Sequence, residues 1–421
     1  MTTALPGYNE AAALVAGFAQ QLALKQPHIE RVELAHAAGR VLAEPLRADQ
    51  DQPPFPRSTR DGFACRAQEI SSHEFLALHG STRAGDAPGG PLPQHAVLEI
   101  MTGAPVPEGA DAVAMIEHVE VEAGRVRLLS PRTLSAGENV VAKAAQARAG
   151  DKLLSAGTRI TAAQIALAAN CGCAELAVFT RPRVAILTTG DELVAVDSVP
   201  GLGQIRNSNG PMLAAMVAAA GAEPWVFPTI ADKDSALDDA LAQAADADLL
   251  LLSGGVSAGK YDLVEPALKR AGARFHFTGV RIQPGKPLVF GSLPRGTRSD
   301  QNGKPILPFF GLPGNPVSSA VTFLLFASPV LSALSGTVAG PLFALAKLSA
   351  ETDKKGRAGL TRFLPAFCTF GSAADAVPEV ARVPWQGSGD LAAMARSNCF
   401  LVVPENVGQL QAGAIVRILL T

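Results

Sequence analysis

The rhythm of apolar and polar positions changes several times along the chain. Residues 8–44 read as helical, with an apolar stretch behind Glu10 that fits an amphipathic helix and a closing HAAGRVLAEPLRA. From 48 to 144 the pattern shortens to alternating runs such as AVLEIM and DAVAMIEHVEVE, broken by the Pro- and Gly-rich DQPPFPRS and GDAPGGPLPQ. That segment predicts a small β-rich domain. Residues 145–180 return to a helical pattern, and TAAQIALAANCG stops at Gly172 as a helix with a C-terminal glycine does. The helical pieces on either side are expected to pack together, so the β segment is an insertion.

From residue 181 the alternation becomes regular. RVAILTTG (183–190), EPWVFPTI (223–230), DLLLLSGG (248–255) and PILPFFG (305–311) are predicted strands. Helices are expected at 212–221, 235–245, near 262–271 and from 316 onward. This order specifies an α/β domain built on a parallel sheet covered on both faces. After residue 340, RFLPAFCTF, FLVVP and AIVRILL, separated by turn residues, predict a small β-barrel or sandwich. The domain bounds that follow are 1–47 with 145–180, 48–144, 181–338 and 339–421. Pro316–Leu334 is apolar enough to resemble a membrane span. Its four serines, its mid-run Pro329 and the absence of flanking Lys or Arg favour a buried helix.

Composition narrows the function. With 36 basic and 38 acidic residues, a net charge of −2 gives no field to hold nucleic acid, so an anionic ligand needs a local site. Five scattered cysteines form no disulfide framework, and Cys171-Gly172-Cys173 has no His cluster beside it for zinc. A cytoplasmic location is expected. The N-terminus lacks the basic flank of a signal peptide.

Ligands of open parallel sheets bind beyond the carboxyl ends of the strands. Three sequences fall there: Thr188-Thr189-Gly190-Asp191-Glu192, Ser253 to Asp262 (SGGVSAGKYD), and Gly311-Leu312-Pro313-Gly314-Asn315-Pro316. Each combines glycines, which let backbone N–H groups approach a ligand, with hydroxyls or carboxylates. Asn315 is expected to cap the next helix, with Pro316 at its first position, beside two glycines. Such a helix start binds anions. Gly254 and Gly259-Lys260 have P-loop spacing, but Tyr261 stands where the Mg²⁺-binding hydroxyl belongs, so an ATPase is disfavoured. In Gln283-Pro284-Gly285-Lys286-Pro287, a lysine between prolines offers a fixed point charge.

Taken in order, these loops resemble the molybdopterin molybdenumtransferases, the MoeA family that includes the gephyrin E domain. Pro54-Phe55-Pro56-Arg57-Ser58 with Asp61-Gly62-Phe63-Ala64, the loop TGAPVP (102–107), TTGDEL, SGGVSAGKYD, QPGKP, GLPGNPVSS, and Gln386 to Leu391 with Ser397-Asn398 carry the likeness. The resemblance implies a helical linker domain, a β insertion, a molybdopterin-binding α/β domain and a C-terminal β-barrel. It also implies a homodimer with its active site between subunits. The implied reaction inserts molybdate into adenylylated molybdopterin and releases AMP, with Mg²⁺ as the metal. Implied partners are a molybdopterin adenylyltransferase and molybdoenzyme acceptors.

Residue by residue, the resemblance implies catalytic roles for Asp61, Thr102, Glu192, Asp262 and Lys286. It places metal ligation on Asp61, Glu192, Asp232 and Asp262. Substrate contacts fall to Gly254, Gly255, Ser257, Pro313, Gly314, Asn315, Ser318, Arg362 and Ser388. Three positions depart from the family pattern. Ala144-Ala145-Gln146 aligns with a Gly-Glu-Asp element, so an amide replaces a carboxylate. Lys260 stands where an acidic residue is frequent, and Gln283 where a lysine is. These departures keep a second expectation open: a protein of the same fold that holds the cofactor with weakened turnover, or serves as a scaffold.

Overall fold

The computed structural model describes residues 5–23, 28–87, 89–255, 263–299, 305–352, 359–371 and 377–421. The chain forms two compact units. One comprises residues 1–32, 39–43 and 177–421, the other 33–38 and 44–176.

The smaller unit is built on a six-stranded sheet. Its strands are β1 (Gly62–Cys65), β2 (Leu76–Thr82), β3 (Ala96–Ile100), β4 (Ala112–Met115), β5 (Val119–Glu122) and β6 (Arg125–Leu128), in the order β4-β1-β3-β2-β6-β5. Alternation serves both faces: Phe63 and Cys65 join a core with Val97, Ala112 and Ala114, while Ala64 packs with Ile100 and Val113. Gly62 fits where no other residue would, because a Cβ there would lie 2.0 Å from the Ala114 carbonyl oxygen.

The larger unit begins with α1 (Tyr8–Ala23), whose Ala11, Val15, Ala19 and Leu22 are buried in the core of the central sheet. The helical reading of 24–44 does not hold over its described part. Ile29–Glu33 is a strand paired with Glu175–Phe179, Leu34–His36 is a single 3₁₀ turn, and Gly39 sits at φ +76. Within 145–180 the only described α-helix is α2 (Ala162–Asn170), followed by Gly172 at φ +72 as expected. Long-range strand pairing overrides local helix propensity in both stretches.

The central strands are β7 (Arg183–Thr188), β8 (Glu223–Val226), β9 (Leu249–Ser253), β10 (Arg274–Thr278), β11 (Val289–Ser299) and β12 (Pro305–Leu312). They lie in the order β8-β7-β9-β12-β11-β10. The first four are parallel, as predicted. The antiparallel β11, absent from the sequence reading, is inserted between β12 and β10, which makes the sheet mixed. Helices α3 (Asn209–Ala219), α4 (Asp234–Gln243) and α5 (Val264–Arg270) join the strands. Both faces are covered: Val184, Ile186, Leu249 and Leu251 look into one core, Ala185, Leu187, Leu250 and Leu252 into the other. This double burial explains the unbroken apolar runs.

Pro316–Leu334 is the one described helical stretch long and apolar enough to cross a membrane. It runs as α6 (Pro316–Thr322), a π turn over Phe323–Ala327 and α7 (Ser328–Leu334), and it is 78% buried against the central core. It is the core helix that its serines and proline predicted.

The final strands are β13 (Phe343–Leu348), β14 (Thr361–Thr369), β15 (Glu379–Arg382), β16 (Cys399–Val403) and β17 (Ile415–Leu420). They close into a five-stranded barrel in the order β14-β15-β13-β17-β16, with β16 returning to β14. The two-residue strand Ile282–Gln283 adds to β14, setting Gln283 opposite Arg362.

Candidate functional site

The path from β7 to β8 leaves β7 on one side, and β9 then takes the other. A crevice opens at such a reversal, beyond the carboxyl ends of the strands. A cleft of ≈ 840 Å³ is found there. Thr188-Thr189-Gly190 after β7, Ser253-Gly254-Gly255 after β9 and Pro313-Gly314-Asn315 after β12 all line it.

The glycines are demanded by contact. Gly254, at φ +97, would place a Cβ 2.3 Å from the Thr189 carbonyl oxygen. Gly190, at φ +149, leaves room for the Glu192 carboxylate to fold back over it; a Cβ would stand 2.6 Å from Glu192 Oε2.

One end of the cleft is acidic. Glu192 and Asp232 both line it. Asp191 and Asp232 clasp each other: the Asp191 N–H donates to Asp232 Oδ2 at 3.3 Å, and the Asp232 N–H to Asp191 Oδ1 at 3.0 Å. Burial, and then the negative charges of Asp191 and Glu192, push the Asp232 carboxyl above its ordinary range, against the lowering effect of the Asp191 N–H. Among the described residues, no group of three or more His, Cys, Asp and Glu side chains is gathered for a metal.

The other end is built from the start of α6. Asn315 stands at the N-cap position, but its side chain makes no capping bond, contrary to expectation. It donates instead to Ser388 Oγ at 2.9 Å, and the Val317 N–H is taken by the Ser388 carbonyl at 3.0 Å. Part of the helix start is therefore already satisfied by the barrel.

The remaining expected residues are distributed as follows. Asp61 and Thr102 meet in the smaller unit, where the Thr102 N–H and hydroxyl donate to Asp61 Oδ1 at 2.6 and 2.8 Å. Those bonds, the backbone one first, hold the Asp61 carboxyl below the usual range. Lys286 is exposed, next to Pro287, which lines the cleft. Ser318 and Arg362 were expected at the substrate, yet both are buried and neither lines the cleft. The Arg362 guanidinium donates to the Gly408 carbonyl at 3.1 Å, which anchors β14. Ser257 and Asp262, with Lys260 and Tyr261, lie outside the described residues, and so does most of the P-loop-like segment.

Sequence reading missed a polar group contributed by the approach to α3. Asn207 Nδ2 donates to Thr188 Oγ1 at 2.8 Å and to Thr229 Oγ1 at 3.1 Å. Asn209 Nδ2 donates to Ser253 Oγ at 2.8 Å and to the Gly314 carbonyl at 2.7 Å, tying two ligand loops together. The Asn207-Ser208-Asn209 repeat just before an apolar helix was the available signal.

Three family models match successive parts of the chain. These are the MoeA N-terminal region (domain I and II) over residues 7–172, a probable molybdopterin binding domain over 185–333, and the MoeA C-terminal region (domain IV) over 347–421. A molybdopterin molybdenumtransferase of Nostoc sp. is 34% identical, covering 99% of this chain and 94% of its own. One from Haemophilus influenzae is 31% identical, with 92% and 93% covered. The crystal structure of the molybdopterin biosynthesis MoeA protein of Pyrococcus horikoshii OT3 superposes with a TM-score of 0.81 at 26% identity, covering 99% and 100% of the two chains.

Proposed function

The chain belongs to the MoeA family of molybdopterin molybdenumtransferases, transferases of molybdenum cofactor biosynthesis, and on that premise we propose that its cleft inserts molybdate into adenylylated molybdopterin with release of AMP. The observation that carries this is the convergence of three glycine-bearing loops on one cavity with a carboxylate end and a helix-start end.

Gly254, Gly255, Pro313, Gly314 and Asn315 bring backbone close to the ligand, with N–H groups on all but Pro313. The carboxylates fit Mg²⁺. That ion commonly takes one or two protein carboxylates and fills its shell with water and substrate phosphate oxygens, and Glu192 and Asp232 supply two. Burial first, and the charges of Asp191 and Glu192 after it, raise the Asp232 carboxyl, a penalty that a bound cation would relieve. When bound, Mg²⁺ supplies Lewis-acid stabilisation of charge on the phosphoryl group. Asp262 is the third carboxylate proposed there. A metal-holding role is proposed for Asp61 as well, whose carboxyl Thr102 keeps ionised.

Molybdate is a tetrahedral dianion and calls for a cation and hydroxyls. Lys286, Ser388 and Ser257 are proposed to receive it, whereas Arg362 and Ser318, expected there too, are buried away from the cleft. Molybdate or a water bound with it attacks the adenylyl phosphorus; a new P–O bond forms as the phosphoanhydride P–O bond breaks, AMP leaves with the incoming oxygen, and the pterin keeps its own phosphate. Assembly as a homodimer, a cytoplasmic setting and exchange with an adenylyltransferase and molybdoenzymes belong to the same proposal.

Purified protein given Mg²⁺, molybdate and adenylylated molybdopterin should release AMP, and Glu192→Gln should release far less. Folded protein that releases none would remove the catalytic assignment. A second reading, cofactor binding with weakened turnover, is favoured by exposed Gln146 at the aligned carboxylate position. Tight molybdopterin binding without AMP, cured by Gln146→Asp, would select it.

A further inference from the structure

We infer that Asn209 reads the ligand's heterocycle, its Oδ1 receiving the exocyclic amino N–H of the pterin, which makes it a specificity-determining residue. This rests on the reading of the cleft as the molybdopterin site and adds to it the group that selects the ring.

The orientation of the Asn209 amide is fixed by its neighbours. A peptide carbonyl only accepts, so the contact of 2.7 Å with the Gly314 oxygen fixes which end of the amide is nitrogen. The second amide hydrogen goes to Ser253 Oγ at 2.8 Å. Ser253 and Ser319 hydroxyls lie 3.4 Å apart, and Ser319 Oγ spends its own hydrogen on the Pro313 carbonyl at 2.8 Å. The hydrogen bonds therefore run one way, from Asn209 through Ser253 and Ser319 to Pro313. Reversing the amide would set oxygen against oxygen at Gly314. Asn209 Oδ1 is thus locked as an acceptor.

That acceptor is buried and has no partner among the described residues, although Asn209 lines the cleft. Thr189 Oγ1 is unpartnered in the same way, on a cleft residue that is only 5% exposed. Unpaired buried acceptors are rare in folded proteins because they forfeit hydration without replacement. Two at one cavity point to a ligand that completes them. A group able to satisfy a fixed acceptor must donate. Pterin offers an amino group on its pyrimidine edge, whereas a 2-oxo ring would face oxygen with oxygen.

The test uses the full chain and two probes: pterin, and lumazine, which carries a 2-oxo group in place of the 2-amino. Calorimetric titration should show wild-type protein preferring pterin by on the order of tenfold or more. Asn209→Ser, which shortens the acceptor out of reach, should bring the ratio close to one. Asn209→Asp loses the bond to the Gly314 carbonyl and can only accept from the Ser253 hydroxyl, but it keeps an acceptor, so it should retain the preference even if its loops loosen. A purely structural asparagine would lower both affinities together and leave the ratio alone. Equal wild-type affinities, or a preference surviving in Asn209→Ser, overturns the inference and leaves the cleft assignment standing. Failure of wild-type protein to bind either probe removes the cleft assignment, and this inference with it. The wild-type comparison decides even where a variant fails to fold.

Discussion

Gly254→Ala tests the packing that shapes the cleft. Two costs add. At φ +97 a side chain is strained by about 1–2 kcal/mol. The new Cβ also lands 2.3 Å from the Thr189 carbonyl oxygen and 3.1 Å from its hydroxyl. That carbonyl has little freedom, since the Thr189 N–H is bonded to the Ser253 carbonyl at 3.0 Å and β7 and β9 pair up to Thr188 and Ser253. Forcing a methyl into such a place costs about 1–3 kcal/mol more. The sum is about 2–5 kcal/mol. Urea unfolding followed by tryptophan fluorescence reads it, because Trp225 lies in β8, opposite Ala185 of β7. With a slope of about 2 kcal/mol/M, the midpoint should fall by roughly 1–2.5 M. Gly203→Ala separates the two costs: Gly203 has φ +82 but nothing within 4 Å, so it should show only the torsional part. Gly314→Ala, whose nearest neighbour would be 3.6 Å away, should change little. Equal losses for Gly254→Ala and Gly203→Ala would refute the contact argument.

Asp232→Asn should raise the melting temperature at neutral pH. The folded state holds the Asp232 proton to higher pH than the unfolded chain does, so its ionised form is a liability above the folded pKa that vanishes on acidification. The gain should shrink as pH falls toward about 4, and a gain constant with pH would contradict the assignment. For Asp61 the sign is opposite: its lowered carboxyl favours the fold above the ordinary carboxylate range, and that contribution is lost as pH falls through its folded pKa. Thr102→Val removes the hydroxyl but leaves the backbone N–H, so the Asp61 carboxyl should rise only partway in an NMR titration; a full return would mean the hydroxyl dominates. Burial pushes the thiols of Cys65 and Cys399 up to about 12, so alkylation of native protein at pH 8 should leave both unmodified by mass spectrometry.

The parallel strands were legible because each is buried on both faces, leaving runs such as LLLLS with no polar interruption. β11 was not, because Val289–Ser299 contains Gly291, Pro294 and Gly296 and reads as turn. Its strand character comes from its neighbours β10 and β12. HAAGRVLAEPLRA has helix-forming composition, but Leu42 bridges Val178, more than a hundred residues away, and no local pattern carries that information. At the site, loops announced by glycine were found. Asn207 and Asn209 were overlooked because their importance lies in what their amides bond to. Arg362 and Ser318 sit near the expected segments in sequence, but the barrel strand and the helix turn their side chains into the interior.

The pairing of Ile282–Gln283 with β14 ties Lys286 to the far end of the chain. Two residues, Pro284 and Gly285, separate that lysine from a strand whose lateral neighbour belongs to the barrel, and the Thr361 N–H is bonded to the Arg281 carbonyl at 3.2 Å. A change of tilt in the barrel therefore moves the cationic arm together with Gly389 and Leu391, which the barrel region contributes to the cleft. If Lys286 receives the oxyanion as proposed, exchanging residues 339–421 between relatives should shift the choice among tetrahedral oxyanions, through that arm and through Gly389 and Leu391 together.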